Sequence, residues 1–527
     1  MITQEYAALG LSLTSKPSRQ PNMGSSSHRD WIISPLWDGL FFIGTPVLLL
    51  AIVLPLSRMV PTESIALVML ALFAVGHHLP GFLRIYGDPV MFSRYSTRFL
   101  LGPPLVFMAS LYFASKNLHG LILVSVLWDF WHSITQHYGM MRIYAAKKGE
   151  ISHRLSWLDL ALSFAWFLSI ALCSPQYSMA LIRPVIQTFG VTPSQDMLNG
   201  LRAITVTATA VCTVWWIGAT VRAGRAGVPI SVTKIALTLF TFAFLGVAWW
   251  LVKNLVLGHA MWAVYHDIQY FALVWLMGCG IAAKHDQVAR PFLSFLFRRK
   301  FPLVLLYVAM FMLYGSMGFV QKSLENETLR LILGAFILTS ALMHYYFDGF
   351  IWKVREPSLR AALGFETVSH APAPLPELRR ERVPLQLACL VIPLALLVVA
   401  EPSSRGSEDV YRALTSIYPG WGDMQFKLGD ELADQGKWTE AAKAYHDGLA
   451  IQPDAPLPHE NLATVYEHLG DLVSARYHLE RAARLLPHDQ SLQTRLASMR
   501  VTSASDPCCT RKAPAASSAR TGVNPRP

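Results

Sequence analysis

Histidine is the residue type in this chain whose placement could do chemistry. Of its seventeen histidines, seven lie inside or at the edge of long apolar stretches: His77, His78, His132, His137, His259, His266 and His344. An ionisable side chain at membrane depth is costly, and such residues usually face the interior of a helix bundle and carry a function. Imidazole is a ligand for iron, zinc, copper and nickel, and a histidine metal site needs no cysteine. The neighbouring residues suit such a site. Asp129, His132 and Gln136 are three and four apart and share a helix face, as do His344 with Asp348 and His266 with Tyr270. A carboxylate or other polar group next to a ligating histidine fixes its tautomer, so Asp129, Gln136, Asp267, Tyr270 and Asp348 are the expected outer partners. Asp267 adjoins His266 but points to another side of its helix. His259 and His266 are seven apart, which places them on one face about 10 Å apart along the axis. They cannot share one ion, though both can face one polar cavity.

The elements that must position these residues follow from composition. The chain has 527 residues, 53% hydrophobic and 15% charged, with a mean hydropathy of +0.35; soluble domains carry about 25% charged residues. This excludes an ordinary cytosolic enzyme, a disordered chain and a secreted disulfide scaffold. The six cysteines are scattered, four of them singly in apolar stretches, with no metal-like spacing. A hydrocarbon core about 30 Å thick takes roughly 20 apolar residues to cross. Eleven segments qualify as expected spans: about 35–56, 63–86, 97–115, 118–141, 155–174, 201–221, 233–252, 255–280, 301–320, 329–352 and 384–400. The seven histidines all fall on the second, fourth, eighth and tenth. The fold class expected is therefore all-α, a polytopic helical membrane bundle of about eleven spans. Residues 1–34 form a polar N-terminus that lacks the apolar stretch of a signal peptide, residues 35–400 the membrane domain, and residues 501–527 a disordered tail.

Every second loop is basic: Arg84, Arg94 and Arg98; Arg142, Lys147, Lys148 and Arg154; Arg222, Arg225 and Lys234; Arg290 with Arg298, Arg299 and Lys300; Lys353, Arg355 and Arg379. By the positive-inside rule the N-terminus is cytoplasmic and the C-terminal region external, in an integral protein of the bacterial inner (plasma) membrane. His77, His78, His132, His137 and His344 then sit in the inner half of their spans, and the eighth span, with His259 and His266, fits that depth least well. The asymmetry accounts for the net charge of +11 and gives no argument for nucleic acid as a partner. Gly-Phe-Leu-Arg-Ile-Tyr (81–86) is echoed by Gly-Met-Met-Arg-Ile-Tyr (139–144). Arg84 and Arg142 are thus candidates to grip the headgroup of a lipid-like substrate, against the plainer reading that they snorkel to the interface.

Beyond the last span the composition becomes that of a soluble domain, and a pattern repeats every 34 residues. Leu428, Gly429, Leu432, Gly436, Ala441, Tyr445 and Pro453 recur as Leu462, Ala463, Tyr466, Gly470, Ala475, Leu479 and Pro487. Residues 422–489 resemble the tetratricopeptide repeat family, in which each unit is a helix–turn–helix with small residues at the helix crossing. Two repeats are few for independent stability, so the helix after Ser407 is expected to support them in a unit spanning 407–490. The resemblance implies a protein partner.

The membrane domain loosely resembles the membrane di-iron desaturases and hydroxylases, whose histidine boxes lie at the cytoplasmic ends of transmembrane helices. His132 and His137 have the spacing of an H-x4-H box, and His77 and His78 match the end of an HxxHH box; His259 and His266 match neither. The resemblance implies non-haem iron, as one ion or a pair, in an oxidoreductase whose lipid-phase substrate comes from the bilayer lipids. A separate electron donor is needed, because the chain has no flavin, nicotinamide or iron–sulfur motif. Haem, a proton or ion relay, a purely structural histidine network, and a glycosyltransferase- or ligase-like activity with an external repeat domain remain open alternatives.

Overall fold

The structure is a computed structural model that describes residues 30–150, 152–252, 254–284, 291–351, 392–399, 401 and 406–504. All of the described secondary structure is helical. The N-terminal half runs α1 (Pro35–Asp38), a π-helical turn Gly39–Ile43, α2 (Thr45–Leu56), α3 (Thr62–Met69), a π-helical turn Leu70–Val75, α4 (His78–Tyr86), α5 (Pro89–Ser115), α6 (Gly120–Lys148), α7 (His153–Cys173) and α8 (Pro175–Phe189). There follow α9 (Gln195–Arg225), α10 (Val232–Gly246) with a π-helical turn Val247–Leu251, α11 (Leu255–Lys284), α12 (Pro291–Leu296), α13 (Phe301–Gly315), α14 (Met317–Ser323) and α15 (Glu327–Ile351). A short helix α16 covers 392–399. The C-terminal unit comprises α17 (Ser407–Ile417), α18 (Gly422–Asp434), α19 (Trp438–Ile451), α20 (Pro456–Leu469), α21 (Leu472–Leu485) and α22 (Gln490–Ala504).

Serines start many of these helices by accepting a backbone N–H with the side chain, which satisfies a donor the first turn leaves orphaned. Ser152 accepts from Leu155, Ser174 from Tyr177, Ser194 from Met197 and Ser231 from Lys234. Ser174 ends α7 and caps α8, so the chain reverses there without a loop.

Among the described residues, seven helices are long and apolar enough to cross a membrane: Thr62–Tyr86, Met91–Ser115, His153–Cys173, Gln195–Arg225, Val232–Leu251, Phe301–Ser323 and Glu327–Gly349; the pair Pro35–Ile43 and Thr45–Leu56, bent by 55°, brings the number to eight. This replaces the expected eleven. Helices α6 and α11 have 29 and 30 residues, but their polar residues dilute their hydropathy: Asp129, His132, Gln136, His137 and Arg142 on α6, and His259, His266, Asp267 and Gln269 on α11. Their polar faces turn into the bundle, while Leu127 and Trp131 leave one flank of α6 exposed. Most of the expected span 384–400 lies outside the described residues, as do the terminal segments 1–29 and 505–527. The outward faces of α9 and α13 carry bare apolar side chains, with Val214 71% and Leu313 75% exposed, which suit hydrocarbon better than water.

The two ends of the bundle differ. At one end Thr233 donates to the Asp30 carbonyl, Lys148 pairs with Asp30 at 2.7 Å, and Tyr144 donates to the buried Asp38 carboxylate at 2.8 Å. Asp38 also accepts the backbone N–H of Ile32, Ile33 and Ser34, which folds the N-terminal segment onto α6. At the other end α17 packs Val410, Leu414 and Ile417 against Met179, Ile186 and Leu198, and Tyr418 donates to Ser178 at 2.7 Å. Glu401 accepts the N–H groups of His119 and Gly120 at the start of α6.

In the C-terminal unit α18/α19 and α20/α21 form two hairpins of one kind. Gly436 and Gly470, 34 residues apart, take φ of +72° and +77°, a left-handed conformation that favours glycine. A Cβ on Gly429 would sit 3.0 Å from the Tyr445 ring, so the repeat's small positions are set by ring packing. Helix α17 buttresses the first hairpin, and α22 extends the unit to Ala504, beyond the expected boundary at 490.

Between α20 and α21, His459 and His478 face each other with Nδ1 atoms 3.0 Å apart. His459 Nε2 lies 3.0 Å from the Pro453 carbonyl and must carry the proton there. Its Nδ1 therefore accepts, and His478 Nδ1–H donates. Burial first, then His459 and His446, push the pKa of His478 down from 6.5 to about 4. The folded state thus prefers the neutral pair, and the unfolded chain takes up protons first as pH falls. Stability from this contact should be whole above about pH 6.5 and disappear progressively toward pH 4. Hydrogen exchange of the α20–α21 amides in the intact protein, corrected for intrinsic rates, should accelerate over that window, and the dependence should vanish in His478→Gln.

Candidate metal centre

Four chain segments converge inside the bundle: the break before α4, and the interior faces of α6, α11 and α15. The break is built by sequence. The π-helical turn Leu70–Val75 gives way at Gly76, where an added Cβ would stand 2.1 Å from the Leu72 carbonyl oxygen and 2.8 Å from that of Phe311; only glycine fits. Single-turn π-helices often mark functional sites. Here the turn aims two successive side chains, His77 and His78, into the same interior, with ring centroids 4.6 Å apart.

His77 lies 4.5 Å from His344 and 5.7 Å from His266, centroid to centroid. His132 lies 5.0 Å from His266 and 4.9 Å from His344. Oδ2 of Asp348 is 3.7 Å from His132 Nδ1 and 3.7 Å from His344 Nε2, while the Tyr270 hydroxyl donates to Oδ1 at 2.9 Å. Among the described residues two sets have ligand atoms within 4.8 Å of one another: His77, His132 and His266; and His132, His344 and Asp348. All five of these residues are buried, His344 completely.

Several of the converging atoms make no hydrogen bond: both ring nitrogens of His77, both of His344, Nε2 of His132 and both carboxylate oxygens of Asp267. His77 Nδ1 approaches Asp267 Oδ1 to 3.0 Å without the geometry of a hydrogen bond. A buried polar atom left without a partner costs about 1–3 kcal/mol, and native interiors hold few of them. Lone pairs that converge while unpaired can bind a cation, so these residues fit a metal ion.

The other expected site residues are distributed as follows. His78 joins the cluster, stacked on His344 at 5.1 Å, but belongs to neither set of three; its Nδ1 is 2.8 Å from Ser340 Oγ, itself 2.7 Å from the Tyr314 hydroxyl. His137 is outside. Five residues past His132, it points about 140° away around α6 and packs between Phe167 and Phe242. The H-x4-H spacing therefore separates the two side chains. His259 is outside too, about two turns from His266, with its Nδ1 3.0 Å from the Tyr177 hydroxyl. Depth alone had favoured His137 over His266; azimuth around the helix reverses that order.

Asp129 meets no histidine directly and accepts from Tyr345 at 3.1 Å. Asp267, on the other side of α11, reaches His77 of a neighbouring segment. Gln136 donates through Nε2 to the His266 carbonyl at 2.9 Å. The two arginines are corrected most. Arg84 is 5% exposed and lies 3.4 Å from Asp88. Arg142 pairs with Asp159 at 3.0 Å beside Lys234, which is wholly buried between Glu150 at 2.5 Å and Asp159 at 3.3 Å; Trp216 also donates to Asp159. Both arginines pair with carboxylates of their own chain, and Lys234 is a buried counter-ion rather than a loop charge.

Two cavities meet at the cluster. One of about 610 Å³ lies between α6, α11 and α15 and reaches His132, Tyr270 and Asp348. The other, of about 470 Å³, is lined by His77, His78, His266, Asp129 and Asp267, and by His259 nearer the repeat end. His259 and His266 line the same cavity. Sequence reasoning missed Ser340, Tyr314 and Tyr345. Ser340, one turn before His344, could have been found by helix-face arithmetic, whereas Tyr314 comes from another helix and left no signal.

Residues 429–470 match the TPR repeat family, inside the 422–489 stretch picked out by its period. The repeats are a protein-interaction unit. No curated protein matches the chain.

Removing one member of a buried ion pair leaves its partner uncompensated and costs about 3–5 kcal/mol. Lys234→Ala should accordingly lower the thermal unfolding temperature of the detergent-purified protein markedly. Arg58→Ala, at an exposed loop position, should leave it unchanged.

Proposed function

We propose that this protein is an integral membrane, metal-dependent oxidoreductase that holds non-haem iron and acts on a lipid-phase substrate. The observation that carries the reading is the meeting of His132, His344 and Asp348 from α6 and α15, two imidazoles and one carboxylate within 4.8 Å. Two histidines with a carboxylate are the ligand set of non-haem iron oxygenases, whereas sets with thiolates favour other metals. His77 and His266 share His132 with that set and would complete the coordination or take a second ion.

Iron bound there would supply activation of O2 for oxidising a C–H bond. The chain's own residues do the rest. Tyr270 holds Asp348 through Oδ1 and turns Oδ2 toward the histidines. Gln136 fixes the backbone at His266, and Asp267 brings a negative charge within 3.0 Å of His77. Trp262, Tyr270 and Tyr345 set aromatic rings against the histidines. A separate protein would deliver electrons, and the repeats would recruit a protein partner. A cytoplasmic N-terminus with external repeats is supported by the remaining basic loops and by the N-terminal segment and α17 packing at opposite ends of the bundle. The two cavities that meet at the cluster favour one alternative, a proton or ion relay, which needs no metal.

Elemental analysis and an absorption spectrum of protein purified in detergent from iron-replete cells test the reading. Iron in stoichiometric amount without a Soret band is expected; a Soret band would indicate haem, and protein free of metal would overturn the proposal in favour of the relay. His132→Ala, His344→Ala and Asp348→Ala should each lose most of the iron while remaining membrane-inserted. His137→Ala and His259→Ala should retain it. Full iron in both His132→Ala and His344→Ala would falsify the assignment of these ligands. Deleting the repeats beyond Ser407 should leave the iron content unchanged.

A further inference from the structure

The cavity of about 610 Å³ beside the cluster has a built interior. Gly139 on α6 and Gly349 on α15 both line it, and a Cβ added to either would touch nothing within 4 Å. Glycine is the poorest helix former after proline, and no close helix contact calls for it at these positions. The two residues leave open space on facing walls of one cavity. Trp131 lines the same cavity and is 47% exposed on the outer face of α6, next to Leu127 at 53%. The opening thus gives sideways onto the apolar flank of the bundle.

The inner end is polar in a specific way. Gln136 uses its amide N–H on the His266 carbonyl, which fixes the orientation of the amide. Its Oε1 is then a buried acceptor that makes no hydrogen bond, and Gln136 lines this cavity together with His132 and Asp348. A hydrocarbon chain fits the walls, and a hydrogen-bond donor fits Oε1.

We propose that this cavity binds one long-chain membrane molecule bearing a hydroxyl or amide N–H, which enters sideways past Trp131 and seats its donor on Gln136 Oε1. This deepens the oxidoreductase reading by naming its substrate class and rests on it for the chemistry, but binding itself requires no metal. The volume falls in the ordinary range for a small-molecule site, about 300–1,000 Å³.

The test uses the full-length protein in phosphatidylcholine vesicles with two photoactivatable diazirine probes, a hexadecanol and the matching hexadecane. The alcohol should label peptides of α6 and α15 around the cavity. Labelling should fall about tenfold or more in Gly139→Leu and in Gly349→Leu, the scale of expelling two or so methylene groups. It should persist in Gly218→Leu, the same change at an exposed glycine of α9 that also has nothing within 4 Å. Gln136→Leu should abolish the preference for the alcohol over the alkane. If both cavity leucines leave labelling at wild-type level, the probe reports surface lipid only and the proposal is overturned. Equal labelling by alcohol and alkane in the wild type overturns the donor assignment. Iron content measured on the same samples separates the two readings: absent iron with intact, leucine-sensitive labelling removes the oxidoreductase but not the cavity's ligand.

Discussion

An imidazole nitrogen in a dry interior must find a partner or cost free energy, and this bundle brings several of them together without one. Toward the N-terminal end of the bundle the buried charges are paired. Asp38 takes three backbone amides and a tyrosine hydroxyl, and Lys234 is held between two carboxylates. Against that background the bare atoms of His77, His132, His344 and Asp267 stand apart. The surrounding architecture follows from enclosing them: two long polar-bearing helices in the middle, apolar helices around them, and a π-turn that delivers two histidines from one backbone break.

The arrangement also separates duties along the bundle. Charge pairs at the N-terminal end tie α6, α7, α9 and α10 together through Arg142, Asp159, Trp216 and Lys234. Glu401 and the α17–α8 contact tie the opposite end. The middle, where the histidines lie, is left to side-chain packing and to hydrogen bonds from Tyr270, Tyr345 and Ser340.

How much of this was legible in the sequence can be judged residue by residue. The repeats were, because a 34-residue period writes itself into glycines that need positive φ and into alanines at helix crossings. The histidine-bearing segments were legible as well, because ionisable residues are rare in apolar runs. The span count was overstated: the polar residues that α6 and α11 bring to the cluster hold both below the hydropathy of the seven apolar helices, and most of 384–400 lies outside the described residues. Membership of the cluster was half legible. His132 with Gln136 and His344 with Asp348 follow from helix-face arithmetic, and the same arithmetic applied to His137 would have excluded it. That Asp267 meets His77, and that Arg142 meets Asp159, depends on which helices are neighbours, which a single sequence does not record.

Glu401 links two parts of the molecule that otherwise lie at different heights. Its carboxylate grips the first amides of α6, and it stands six positions before α17, the helix on which the repeats rest. An α-helix is stiff along its axis, and His132 is twelve residues, about 18 Å, further along the same rod. Glu401 thus fixes the height at which α6 begins, and with it the level at which His132 meets the other histidines, from a position close in the chain to the repeats.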